Sequence, residues 1–252
     1  MRKICLFYIF IVCILFVACN SADQNCSSIL FRFDNQKYQA KGCADNNLEK
    51  GEWSFYNAKN KLIEKGNYEN GIRVGKWLYP ENKSDSIIVW KKYEKQNLKL
   101  LFNIPVLLEV VEDTLEYIKF SNKDSSKLFN VVLSVHELEE SKKQIENYYK
   151  QGEEEITANG WSFAYKRNEV IAGERTLYFN DYIITISESN KFKVLNAYSL
   201  MKDKKLFEIS CRFSENIESS ARIIFFSLLS NCFYNTERFI DPLEEIKTIT
   251  TN

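Results

Sequence analysis

Gly51-Glu52-Trp53-Ser54-Phe55-Tyr56 and, 24 residues further on, Gly75-Lys76-Trp77-Leu78-Tyr79 carry the same step: a glycine, a tryptophan, and a second aromatic two places later. The shift holds over a longer window. Gly42 falls on Gly66, Asp45 on Glu69, Asn46 on Asn70, and Leu48 on Ile72. A spacing of two puts both rings on one face of a strand, because side chains alternate along extended backbone. Asn70-Gly71 ahead of Ile72 predicts a tight hairpin turn, since these residues accept the positive φ angles such turns need. The stretch from about 40 to 80 reads as two glycine-flanked β-hairpin units. A sheet of two units needs flanking strands, for which residues 29–33 and 86–93 are candidates. Trp53, Phe55, Tyr68, Trp77 and Tyr79 then form an aromatic ridge on that sheet. Covered by the neighbouring part of the chain, the ridge is core; left open, it is made of residue types that dominate binding hot spots.

From Lys99 the repeat is gone and the pattern is strand, strand, helix, several strands, helix. Residues 128–135 are rich in β-branched side chains, and 161–171, 175–186, 192–201 and 205–213 alternate or cluster as strands. A helix is predicted over 137–151, with Leu138, Ile145 and Tyr148-Tyr149 on one side, and a second over 217–233, where Ala221, Ile224, Phe225, Leu228 and Cys232 follow the helical period. The expected fold is α+β: an N-terminal antiparallel β-hairpin repeat sheet (19–98), then an antiparallel sheet packed with two helices (99–236), and a C-terminal tail (237–252).

The chain starts Met1-Arg2-Lys3, and residues 4–18 are all apolar, aromatic or cysteine. A cationic head and an apolar run too short to span a bilayer make a secretory signal peptide, residues 1–18. The run ends Leu15-Phe16-Val17-Ala18-Cys19, which resembles the lipobox of bacterial lipoproteins, although Phe16 stands where that motif prefers a smaller aliphatic. The resemblance implies cleavage before Cys19, acylation of that cysteine and permanent anchoring through its lipid; the alternative is an uncleaved anchor helix. Asn20-Ser21 stand in place of Asp after the cysteine, and resemblance to proteobacterial lipoprotein sorting then implies the outer membrane, facing the periplasm.

Cys5 and Cys13 leave with the signal, and four cysteines remain: Cys26, Cys43, Cys211 and Cys232. In an oxidising compartment they suggest two bridges, with sequence proximity favouring Cys26–Cys43 and Cys211–Cys232; free buried thiols are the alternative. The 34 basic residues balance the 34 acidic ones. Residues 20–98 carry 13 basic against 10 acidic, and the remainder from Lys99 carries 19 against 24. Neither excess argues for nucleic acid.

No phosphate loop, nucleophile elbow or metal-binding histidine pair occurs. His136, the only histidine, has Glu137 beside it and no nucleophile nearby, so it reads as a surface residue at a helix start. Glu153-Glu154-Glu155 lack the spacing of a calcium loop and read as a solvated turn. The expectation is a non-enzyme that needs no cofactor or metal.

The paired units, on Gly51 to Tyr56, Gly66-Asn67-Tyr68-Glu69-Asn70-Gly71 and Gly75 to Tyr79, resemble the MORN-like repeats of the bacterial YwqK type. The first copy departs from the pattern at Cys43-Ala44 and Asn47. The order of elements after Lys99, with its Ile104-Pro105 opening and its closing run of Ile223-Ile224-Phe225-Phe226, resembles the Mog1/PsbP-like fold of secreted bacterial proteins of the DcrB/DUF1795 type. Cystatin-like and other antiparallel sandwiches are rivals. Both resemblances imply a non-catalytic module that binds a protein of the envelope, with toxin neutralisation or service to a secretion apparatus as narrower versions. Binding of a lipid or small ligand between sheet and helix is the alternative, and a purely structural role the third.

Replacing Cys19 by Ala should abolish fatty-acid incorporation and leave the precursor uncut. Metabolic labelling with a radioactive fatty acid checks this; undiminished label in the mutant contradicts the lipidation site.

Overall fold

The computed structural model describes residues 25–33, 36–46, 48–80, 87–122, 128–137, 142–172, 175–188, 190–240 and 246–250. Residues 1–18, expected to be a signal peptide, and Cys19 lie outside them. Seven strands follow one another from the start: β1 Asn25–Phe33, β2 Gln36–Asp45, β3 Leu48–Tyr56, β4 Leu62–Glu69, β5 Ile72–Leu78, β6 Ile87–Lys95 and β7 Leu100–Pro105. Next come β8 Leu108–Asp113, β9 Tyr117–Asn122, β10 Phe129–Glu137 and helix α1 Lys142–Ala158. The chain continues through β11 Ser162–Ala172, β12 Arg175–Ser187, β13 Asn190–Leu200, β14 Lys205–Phe213 and helix α2 Glu218–Asn231, and closes with the short strands β15 Phe233–Tyr234 and β16 Glu237–Arg238 and with β17 Ile246–Thr250.

These strands make two antiparallel sheets. The first runs β1-β2-β3-β4-β5-β6-β7-β15-β16, and the second β17-β11-β12-β13-β14-β10-β9-β8. Helix α2 packs against β7 of the first sheet and against β14 and β13 of the second. Among the described residues, one apolar cluster runs from Ala40 through Phe120 and Leu195 to Ile240 and joins the two sheets. Helix α1 covers the other face of the second sheet, where Ile145 and Tyr149 meet Tyr198 and Leu206.

The local geometry of the first sheet repeats with the sequence. Asn46 and Asn70 take φ of 50° and 51°, and Gly51 and Gly75 take φ of 70° and 65°. At the β4–β5 turn Gly71 follows Asn70 with φ of 76°, giving the paired positive φ of a two-residue hairpin turn. Trp53 Nε1 donates to the Cys43 carbonyl at 3.0 Å, and Trp77 Nε1 to the Asn67 carbonyl at 3.1 Å. Each indole lies flat over a glycine: a Cβ on Gly42 would come within 2.1 Å of the Trp53 ring, and one on Gly66 within 2.3 Å of the Trp77 ring. Those glycines are needed for the space their missing side chains leave.

The aromatic ridge is core, and the docking role expected of it is corrected accordingly. Trp53, Phe55, Tyr68, Trp77 and Tyr79 are 0–5% exposed, with Tyr68 edge-on to Trp77 at 5.0 Å. The reason is the chain's return. Ser227 of α2 lies 2.9 Å from Arg73, and Arg238 of β16 reaches Glu49 of β3. Helix α2 and strand β16 therefore close over the face that the hairpins present.

That closure also corrects the domain division. β7, from beyond the expected boundary at 98/99, hydrogen-bonds into the first sheet beside β6, and β15 pairs with β7. The segment 237–252 is no tail: it holds β16 and β17, and β17 pairs with β11. Glu137, expected to open the first helix, belongs to a strand instead. Glu137 ends β10 because the ladder to β14 continues to the Glu137–Lys205 pair, and Glu153, Glu154 and Glu155 lie on α1 rather than in a turn.

Cysteine behaviour divides likewise. Cys43 is disulfide-bonded, and the backbone register places Cys26 opposite it. The expected Cys211–Cys232 bridge is absent: both thiols are free and fully buried. Burial pushes each thiol pKa up, which disfavours the thiolate that forms a bridge, and the pair serves as small apolar groups.

Three substitutions test this core by urea denaturation. Trp77→Ala should cost about 3–5 kcal/mol and Gly66→Ala about 1–3 kcal/mol through overpacking. Gly152→Ala, in a helix with nothing within 4 Å of the new methyl, should gain about 0.5–1 kcal/mol. A near-normal midpoint for Trp77→Ala would return that ring to the surface.

Candidate functional site

A cleft of about 500 Å³ opens where β10 and β14 meet α1 and the end of the first sheet. Val135, His136 and Glu137 enter from β10, Tyr148 from α1, Lys205 from β14, Tyr234 from β15, and Asn97 to Lys99 and Leu115-Glu116 from two turns. The rim is tied down at several points. Thr114 Oγ1 accepts the backbone N–H of Glu116 at 3.2 Å and of Tyr117 at 3.0 Å, and the Asn235 N–H donates to the Lys99 carbonyl at 2.9 Å. Lys205 Nζ pairs with Glu137 at 2.9 Å, and Tyr234 donates its hydroxyl to Asp203 at 2.6 Å.

Below the cleft a polar network crosses the sheet under α1. His136 Nε2 lies 2.9 Å from Ser134 Oγ and 3.2 Å from the Tyr148 hydroxyl, which donates to Glu208 at 3.1 Å. Asn196 Nδ2 donates to the other Glu208 oxygen. Asn196 Oδ1 in turn accepts from Tyr149 at 3.2 Å and Asn180 at 3.3 Å. The rings of Tyr149 and Tyr198 stack at 3.8 Å, and those of Tyr178 and Tyr198 at 5.0 Å. The ladder supplies the arrangement: Ser134 faces Glu208 across β10–β14, and Asn180 faces Asn196 across β12–β13.

Burial, then the Glu208 carboxylate, pushes the Tyr148 and Tyr149 pKa values up. Both phenols stay protonated at neutral pH and act as donors. The Ser134–His136 contact does not make a nucleophile, because Ser134 is buried at 6% exposure and does not line the cleft. Among the described residues no group of three or more His, Cys, Asp or Glu side chains is placed to hold a metal ion. The cleft instead offers aromatic surface, one imidazole and balanced charges, which suit binding.

The site is not the one the sequence singled out. The five ridge aromatics lie in the core, and Cys19 lies outside the described residues. His136, expected on the surface at a helix start, sits half-buried at a strand end. Tyr148 was legible only as part of an apolar helix face, and Glu208 had no local mark.

No protein-family model and no curated protein matches the sequence. Among solved structures, the Ran-binding protein Mog1p of Saccharomyces cerevisiae is similar at 9% identity and a TM-score of 0.43, over 59% of this chain and 96% of that one. Cyanobacterial PsbP from Synechocystis is similar at 12% identity and a TM-score of 0.46, over 61% of this chain and 97% of that one.

Tyr148→Phe removes the hydroxyl between His136 and Glu208. It should cost about 1–2 kcal/mol in guanidinium denaturation, the range for a buried acceptor losing its donor. An unchanged midpoint would mean that Glu208 does not depend on that phenol.

Proposed function

We propose that the chain is a lipid-anchored protein of the bacterial envelope that binds a small polar ligand in the cleft beside His136 and performs no chemistry on it. The reading combines a MORN-like hairpin pair with a Mog1/PsbP-like α+β body, held by Cys19 on the outer membrane and facing the periplasm. The cleft is the observation that carries it. Its volume of about 500 Å³ is within the range of small-molecule sites, and polar groups, His136, Tyr148 and Tyr234 among them, line it. The disulfide at Cys43 fits an oxidising compartment. The rival reading, docking of an envelope protein on the aromatic ridge, loses its surface because the ridge is buried.

The cleft's charges come in both signs, Lys99 and Lys205 against Glu116 and Glu137, so a neutral hydroxylated or zwitterionic ligand suits it better than a strong anion. Native mass spectrometry of the lipoprotein, released from membranes in mild detergent, tests the proposal. Wild type should carry a small-molecule adduct. Leu115→Trp, at a rim position 81% exposed, should fold normally and lose the adduct by narrowing the mouth. Adduct-free wild type, or an adduct that survives Leu115→Trp with unchanged occupancy, counts against the cleft.

A further inference from the structure

The outer face of the first sheet has one corner unlike the rest of the surface. On β5 and β6 the residues Trp77, Ile88 and Trp90 point into the core at 0–3% exposure. Their alternating neighbours form the opposite face, with Leu78 paired to Ile87 and Lys76 to Val89. Leu78 is 38% exposed and Ile87 56%. The Val106 N–H donates to the Val89 carbonyl at 2.9 Å, so the β7–β8 turn joins the same corner, with Val106 and Leu107 each 43% exposed. Four of the eight exposed large apolar side chains among the described residues thus share one place, where scattered ones would need no explanation.

Cations surround them. One cross-strand row reads Lys41, Ser54, Lys65, Leu78, Ile87 from β2 to β6. Lys76 and Lys91 are exposed on the same face. Its acids are Glu52, which pairs with Lys65 at 2.8 Å, Asp45, which pairs with Lys50 at 3.6 Å, and Glu69 near the β4–β5 turn. The chain as a whole balances 34 basic against 34 acidic residues, so this face departs from the average. Apolar side chains set among lysines complement a bilayer with anionic headgroups, the stems lying along the apolar surface and the ammonium groups meeting phosphate.

We propose that this face, centred on Leu78, Ile87, Val106 and Leu107, lies against the surface of the anionic bilayer that holds the anchor. The inference rests on the lipid attachment at Cys19. The tether permits it: Asn25 begins β1, the edge strand of the same sheet, so Cys19 is at most about 20 Å of extended chain from that sheet and a bilayer along its outer face is within reach. Charge complementarity and the anchor both point to lipid rather than to a second copy, whose lysines would meet lysines.

The test uses the full-length lipoprotein in vesicles of phosphatidylethanolamine and phosphatidylglycerol with brominated acyl chains, and in phosphatidylcholine vesicles of the same kind. A bimane label is placed at Ile87→Cys or Leu107→Cys, and at Lys150→Cys on α1 as control. Labels at 87 and 107 should be quenched several-fold more than the label at 150. The difference should shrink in phosphatidylcholine and in a Lys76→Glu, Lys91→Glu background. Vesicle-bound protein with equal quenching at all three sites overturns the inference and leaves the anchor standing. Protein that fails to co-sediment with vesicles removes both. A label at 87 that is unquenched by lipid yet shielded from aqueous iodide would indicate a protein occupant and also overturns it.

Discussion

The guanidinium of Arg73 is buried in the first sheet, and much of the architecture follows from satisfying it. It is 4% exposed, lies 4.1 Å over the Trp77 ring, and forks onto Glu64 with two contacts of 2.7 Å. It also donates to the hydroxyls of Tyr79 at 3.1 Å and Ser227 at 2.9 Å. Burial works to lower its pKa, but Glu64 and the phenols of Tyr68 and Tyr79 outweigh that and hold it well above the ordinary arginine range. Burial also pushes the Tyr79 phenol up to about 12, so it remains a neutral partner that accepts from Trp90 as well. A buried charge that loses its partner is costly, about 3–5 kcal/mol. Hence β4, β5 and α2 are held in one arrangement. At the far end of the same hairpins Arg238 does similar work, pairing with Glu49 and donating to the Gly71 carbonyl at 3.0 Å. Two arginines thus connect the closing elements to the opening sheet.

The parts of this fold that obey local rules could be read in advance. The 24-residue shift, the Asn70-Gly71 turn and the strand at 205–213 are written in spacing and turn chemistry. The glycines opposite Trp53 and Trp77 were visible as a pattern, though their purpose needed the ring positions. What could not be read depends on residues distant in sequence. Nothing near Arg73 announces Ser227, 154 residues away, and nothing in the short segments around Phe233 and Arg238 shows that they extend the first sheet. Glu137 fits the helical pattern of the sequence, but its pairing with Lys205 of β14 makes it the last residue of a strand. Cys211 and Cys232 are close in sequence, but each is packed as an apolar side chain. The cleft was invisible for the same reason as the closure: its lining comes from three strands, a helix and two turns.

Covering the aromatic face reassigns where function can lie. The ridge becomes structure, and two surfaces remain, at opposite ends of β6. Ile87 begins that strand at the apolar, basic corner, and Lys95 ends it beside the turn that lines the cleft. A strand of nine residues extends for about 30 Å. A protein resting its outer face on a bilayer would keep the cleft at the margin of contact, open to the solvent layer next to the membrane. Anchor, face and cleft are then compatible in one orientation.

The claim on which all of this depends is that the hairpin region and the α+β region share one core. Differential scanning calorimetry of the protein tests it most directly. One unfolding transition, with calorimetric and van't Hoff enthalpies equal, is the result expected of a single cooperative unit. Two separable transitions, or a calorimetric enthalpy well above the van't Hoff value, would show that the two regions melt apart and would contradict the shared core.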